Sequence, residues 1–183
     1  MRKIIFLDID GPMVPGRGIY MPGQTTPPTL FDPCAVGLLN RMANMSGAKI
    51  VVQSSWRKPH VLDRLNSIYP DFSLKDYIIG QSVNAKHFTD DWVCPFTPNT
   101  NRWYDIALWL SRNPDVTKYV VLDDDVFIHG HIDPNNLVSV DYNIGLTIDN
   151  YFDAMKVLGK KDKDFARVYR SHVTAYTGIK NNS

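Results

Sequence analysis

The sequence predicts an α/β domain: a central parallel sheet flanked by helices, with small insertions. Three observations carry that prediction. Short apolar runs recur without polar alternation, as suits strands buried on both faces. They alternate with segments of helical periodicity, an order that favours a parallel sheet with right-handed crossovers. Three of the runs end in polar, chemically capable residues: Asp8 with Asp10, Ser54, and Asp123 with Asp124. Ligands bind at the carboxyl ends of the strands in such sheets.

The first predicted strand covers residues 4–7, Ile-Ile-Phe-Leu, and runs straight into Asp8. Residues 11–32 are rich in Gly and Pro and read as a long loop or flap. A helix follows, with Asp32 as N-cap, Pro33 in the first turn and Gly47 as its stop. Val36, Leu38, Leu39 and Met42 form its apolar face. The second strand, 48–52, leads into Gln53-Ser54-Ser55-Trp56-Arg57, and a helix is expected over 59–68. Residues 69–100 mix prolines with short apolar stretches and are expected to form an insertion of short elements. A helix over 101–112 is closed by Asn113-Pro114. The third strand, 119–122, enters Asp123-Asp124-Asp125, and a fourth short strand is expected at 137–140. A last helix begins after Gly145-Leu146-Thr147 and ends near Gly159, before a polar, basic tail.

The 183 residues suffice for one domain with a sizeable core. A formal charge of +1 gives no electrostatic argument for a general nucleic-acid coat and leaves room for a local basic patch. Cys34 and Cys94 have neither metal-ligand spacing nor the density of a disulfide scaffold. The apolar run at the start is too short for a signal peptide, and no stretch approaches the ~18 apolar residues of a membrane span. A soluble cytoplasmic protein without membrane partners is expected.

The chemistry concentrates in Asp8-Ile9-Asp10-Gly11. Asp8, at a strand tip, is placed to attack phosphorus, since carboxylates accept phosphoryl groups. Asp10, in the bend, can protonate a leaving oxygen and then activate water. Gly11 lets the backbone turn tightly beside a ligand. Magnesium takes hard oxygen ligands and needs only one or two carboxylates besides a phosphate, a role suited to Asp8 and Asp123. Ser54 and nearby amides could bind phosphate oxygens. Arg102, opening the helix before the third strand, could neutralise a phosphoryl group. Read singly, each has a bland alternative: a solvated Asp turn, a Ser cap, a solvated arginine.

Together these ordered motifs resemble the haloacid dehalogenase (HAD) superfamily of phosphohydrolases over roughly residues 3–158. Asp8-Ile9-Asp10-Gly11 matches the first motif, Ser54 the second and Asp123-Asp124 the fourth. Arg102 is taken as the basic third motif, with Lys86 as the alternative. The superfamily usually has Thr after the motif glycine. Here Pro12 stands, which removes an amide donor and leaves both aspartates in place. The resemblance implies a Rossmann-like core in one domain over 1–183, with candidate flaps at 12–31 and 58–100. It implies Asp8 as nucleophile, Asp10 as acid and base, and Mg2+ held by Asp8, the Asp10 carbonyl and Asp123, with Asp124 either a further ligand or a residue supporting the ligands.

Ser54-Ser55-Trp56-Arg57, Trp109-Leu110, the Asp123–Asp125 run and Gly145-Leu146-Thr147 look like a superfamily branch associated with nucleic-acid repair. The fragment Gly16-Arg17-Gly18-Ile19-Tyr20 is similar to the phosphatase half of phage polynucleotide kinase 3'-phosphatases. The implied substrate is a nucleotide or a nucleic-acid 3'-phosphate end. Gly11, Ser55, Arg57 and Arg17 are the candidate substrate contacts, with a structural salt bridge as the other reading of Arg57. Tyr20, Phe31, Tyr69, Phe72, Trp92 and Phe96 could stack on a base or pack the insertions onto the core. His129 and His131 are poor candidates for a magnesium site. The competing functions are a phosphatase of another small phosphometabolite, a non-catalytic binding module and a phosphoacceptor signalling domain. The last carries its acceptor on the third strand rather than the first.

Overall fold

A computed structural model describes residues 2–20, 31–68, 70, 74–75, 85–99, 101–125 and 131–177. Five parallel strands form one sheet in the order β3-β2-β1-β4-β5. They are β1 (Arg2–Leu7), β2 (Lys49–Val52), β3 (Phe88–Val93), β4 (Val116–Asp123) and β5 (Leu137–Ser139). The helices are α1 (Pro33–Ser46), α2 (Pro59–Ile68), α3 (Arg102–Arg112), α4 (Ile148–Val157) and α5 (Lys163–Thr177). This is the Rossmann-like architecture expected.

The strand pattern divides the core into two layers. Ile5 and Leu7 of β1 face one side, where Leu39 and Met42 of α1 pack with Tyr151, Ala154 and Met155 of α4. Ile4 and Phe6 face the other, where Trp103, Ile106 and Trp109 of α3 cover them. Phe6 meets Trp109 edge-on at 5.4 Å between ring centroids, a favoured aromatic geometry. β1 is therefore buried on both faces, which is why it reads as an unbroken apolar run.

Local signals end the helices. The Asp32 carboxylate accepts from the amides of Cys34 and Ala35 at the start of α1, and Gly47 closes the helix in the left-handed region. Thr147 and Asn150 form a reciprocal capping box on α4.

One expectation changes. β3 belongs to the sheet as an edge strand, so residues 58–100 are not wholly an insertion. Its sequence, Phe-Thr-Asp-Asp-Trp-Val, exposes Asp90 and Asp91 at the edge. Charge on an edge strand discourages pairing with other chains, and it also hides the strand from a search for apolar runs. The basic tail forms α5. Among the described residues no helix is long and apolar enough to cross a membrane. Residues 21–30 of the first candidate flap lie outside the described residues.

The strand order positions the site. From β1 the chain moves to β2 and β3 on one side, then returns to β4 and β5 on the other. The switch falls between β1 and β4, where the connections diverge and leave a crevice at the carboxyl ends. Leu7 and Leu122 are register partners, and the Asp8 amide donates to the Leu122 carbonyl at 3.0 Å. Asp8 and Asp123 are thereby carried out of the sheet side by side.

Candidate active site

The site is a set of carboxylates gathered where β1 and β4 end. One oxygen from each of Asp8, Asp123 and Asp124 lies within 4.8 Å of the others. Asp8 and Asp123 are buried, and Asp124 is half-buried. Arg102, at the first position of α3, spans the pair. Its Nη1 lies 2.7 Å from Asp8 Oδ2 and 3.1 and 3.0 Å from the two Asp123 oxygens. Lys86 precedes β3, at the amino edge of the parallel sheet, so Arg102 is the cation that reaches the cluster.

Backbone geometry aims each group. After Asp8 the chain folds into a tight loop, in which the amides of Met13 and Val14 both donate to the Ile9 carbonyl. Gly11 turns this loop at φ +80°, and a Cβ there would lie 2.9 Å from Asp124 Cβ and Cγ. Only glycine combines that φ with that contact. Pro12 brings no amide to the loop, and its carbonyl accepts from the Leu146 amide at 3.1 Å. The loop is thereby tied to the segment after β5.

Asp10 leaves the loop towards the end of β2. Its Oδ1 accepts from the Trp56 indole N–H at 2.9 Å. Burial holds the Asp10 carboxyl above its usual pKa, against the hydrogen bonds from Trp56 and Ser55, and the Asp8 charge adds to the rise. A carboxyl whose proton affinity is raised suits an acid. Burial, and then the Asp8 charge, push Asp123 up to about 7 and raise Asp124 as well. For Arg102 burial opposes the charge, but Asp8 and Asp123 outweigh it and its pKa rises.

The donor set fits a hard divalent cation. Three carboxylate oxygens converge, and Asp8 raises the proton affinity of both neighbours by repulsion. A cation relieves that repulsion. The residues suit Mg2+ better than a softer metal, because no thiol or imidazole joins the described cluster.

The remaining candidates divide. Ser54 is buried after β2, and its Oγ caps the following turn by accepting from the Trp56 amide at 3.3 Å. Ser55 is exposed beside it. Arg57 follows its structural reading. It donates to the carbonyls of Gln53 and Ser54 and pairs with Asp105 at 2.5 Å, with both side chains nearly inaccessible. Its guanidinium ties the Ser54 turn to α3 rather than joining the carboxylates. Arg17 is exposed and pairs with Asp32 at 3.2 Å. Phe31 is buried against Trp56, and Trp92 packs edge-on against Phe88. Phe96 is 38% exposed, with the Arg57 guanidinium carbon 5.9 Å and Lys58 Nζ 5.7 Å from its ring centroid. Tyr69, Phe72, His129 and the side chain of Tyr20 lie outside the described residues.

Two residues of this site escape a sequence reading. Trp56 holds Asp10, and Gln53 donates to Asp123 Oδ2 at 2.5 Å. Their nearness to the second motif was the only signal available.

Residues 4–151 match the family of HAD domains in Swiss Army Knife RNA repair proteins. No curated protein and no solved structure gives a match.

Proposed function

Because the chain belongs to this family of HAD domains from RNA repair proteins, and is a HAD-type phosphatase, we propose that it is a Mg2+-dependent phosphomonoesterase acting on a nucleic-acid 3'-phosphate end or a nucleotide. The observation that carries this reading is the convergence of Asp8, Asp123 and Asp124 within 4.8 Å, with Arg102 spanning Asp8 and Asp123.

Asp8 is the nucleophile. One of its carboxylate oxygens attacks phosphorus, and the bond from phosphorus to the leaving oxygen breaks. Asp10 gives its proton to that oxygen, which departs as an alcohol. Burial, which raises the proton affinity of Asp10, favours this step. Asp10, now a carboxylate, takes a proton from water. The resulting hydroxide attacks the phosphoaspartyl phosphorus, releases inorganic phosphate and restores both aspartates. Arg102 lies against Asp8, beside the position of a phosphoryl group carried there. It offsets the charge on the equatorial oxygens. Ser54 contributes its hydroxyl to one of those oxygens, exchanging or sharing its bond to the turn. The Asp8, Asp123 and Asp124 carboxylates and the Asp10 carbonyl would hold Mg2+, which supplies charge neutralisation for an anionic nucleophile meeting an anionic substrate.

Membership of an RNA repair family supports a polynucleotide end as the substrate. A phosphate-release panel with Mg2+ tests the proposal. It should cover 3'- and 5'-nucleotides, 3'-phosphorylated RNA and DNA oligonucleotides, and a small sugar phosphate. Release from the 3'-phosphorylated oligonucleotides, abolished in Asp8→Asn, is the expected result. No release by the wild type, or equal release by the variant, overturns it.

A further inference from the structure

We propose that Gln53 is a positioning residue for the cation site: it locks Asp123 through its amide N–H and keeps its carbonyl oxygen ready for a hydrogen bond that arrives with the hydrated ion. The inference rests on the metal-dependent reading above and assigns a role to a residue outside the motifs.

Gln53 follows the last residue of β2, and its amide extends the ladder by donating to the Leu7 carbonyl at 2.9 Å. β2 and β4 flank β1 on opposite sides. The Gln53 side chain therefore reaches under the Asp8 position, across two strand spacings of about 4.8 Å each. It meets Asp123 there, with Nε2 2.5 Å from Asp123 Oδ2. A long amide spans the gap where an asparagine would fall short.

Gln53 is fully buried, and its Oε1 has no hydrogen-bond partner among the described residues. The amide orientation is set by its neighbour once Asp123 is ionised, as a cation ligand is: turned over, Oε1 would face a carboxylate oxygen with no proton between them. The orphan carbonyl is therefore inherent to the arrangement. A buried carbonyl left unpaired is costly, and an apolar side chain of similar volume would avoid that cost. An amide makes physical sense here if a donor arrives at Oε1. Water in the shell of a bound divalent cation is such a donor, since Mg2+ keeps several of its waters.

The rest of the Asp123 environment agrees. Oδ1 accepts from the Asp125 amide at 2.8 Å, and Arg102 bridges both oxygens. With Gln53 on Oδ2, the carboxylate is held from three directions. Partners of this kind orient metal ligands, and their loss typically costs about 10–100-fold in affinity. Glutamine does so without adding a fourth negative charge.

The test is a titration of the full chain with Mn2+ followed by electron paramagnetic resonance, and with Mg2+ by calorimetry, without substrate. Gln53→Met and Gln53→Leu should bind either ion about 10–100-fold more weakly. Their urea midpoints in EDTA should equal or exceed that of the wild type, because the orphan carbonyl is gone. Wild-type affinity in either variant overturns the proposal. So does loss of cooperative unfolding in both, which would make Gln53 a folding residue. Asp123→Asn separates the two levels of the argument. If the wild type binds neither ion, or Asp123→Asn binds as the wild type does, the cation site itself fails.

Discussion

Two carboxylates in this molecule are equally inaccessible and behave in opposite ways. The side chains of Asp123 and Asp162 are 0% and 1% exposed. Asp162 lies before α5 and is matched by donors. Arg41 of α1 reaches Oδ2 at 2.6 Å, the Tyr151 hydroxyl of α4 reaches the same oxygen at 2.7 Å, and the Phe165 amide of α5 reaches Oδ1 at 3.0 Å. The Arg41 hydrogen bond, against the penalty of burial, holds Asp162 down at about 2. Asp123 is also well bonded, yet burial, and then the charge of Asp8, raise it to about 7 against Arg102 and its other donors. Burial alone therefore does not set the behaviour of a carboxylate. The balance between its donors and the like charge beside it decides: Asp162 has donors and no carboxylate raising it, whereas Asp123 has Asp8 against it.

The largest test of this contrast removes Arg102, the cation that spans Asp8 and Asp123. Arg102→Ala should lower phosphate release by about 10²–10³-fold, the scale of losing one preorganised charge-stabilising donor. It should also lower the urea midpoint of the chelated protein, with Mg2+ restoring part of the loss. Unchanged turnover would show that Arg102 serves only the fold.

The structural carboxylate should answer differently. Asp162→Asn should cost about 1–3 kcal/mol of stability by urea unfolding, the price of unmatched buried donors. Turnover per folded molecule should stay at the wild-type value. A kcat change as large as that of Arg102→Ala would erase the distinction.

The smallest effect is a pair of opposite pH slopes. Asp123 binds its proton more tightly in the folded chain, so its stabilisation is complete below pH ~4 and is lost as pH rises towards about 7. Asp162 is depressed, so its contribution is complete above pH ~4 and is lost as pH falls towards about 2. Between pH 5 and 8 only the first slope operates. The chelated protein should lose stability over that range, and Mg2+ or Asp123→Asn should flatten the curve. A curve equally steep in Asp123→Asn would assign the slope elsewhere.

The motif residues were legible because they sit where the pattern changes. Apolar runs at 4–7 and 119–122 mark strands, and the polar residue that ends each run must emerge at the carboxyl edge. Arg102 was legible in the same way, as the first residue of a capped helix. β3 was not, because an edge strand can carry Asp90 and Asp91 where an inner strand would carry apolar side chains. The function of Arg57 was open for a related reason. An arginine beside a strand end reads alike whether it faces a phosphate or, as here, two carbonyls and Asp105.

By itself, then, the sequence determined the layered α/β fold, the strand ends that carry Asp8, Asp10, Ser54 and Asp123, and the candidate chemistry of that set. These follow from local patterns of burial and backbone turning, which a chain writes over a few neighbouring residues. Only the tertiary structure decided that Gln53 holds Asp123 across β1, that Trp56 holds Asp10, and that Arg102 spans two carboxylates. It alone decided that Asp162 knots three helices. Apart from the Phe165 amide on Asp162, those contacts join residues 11–121 positions apart. Their energies depend on which charges and donors the fold brings within about 3 Å, a quantity that no local pattern encodes.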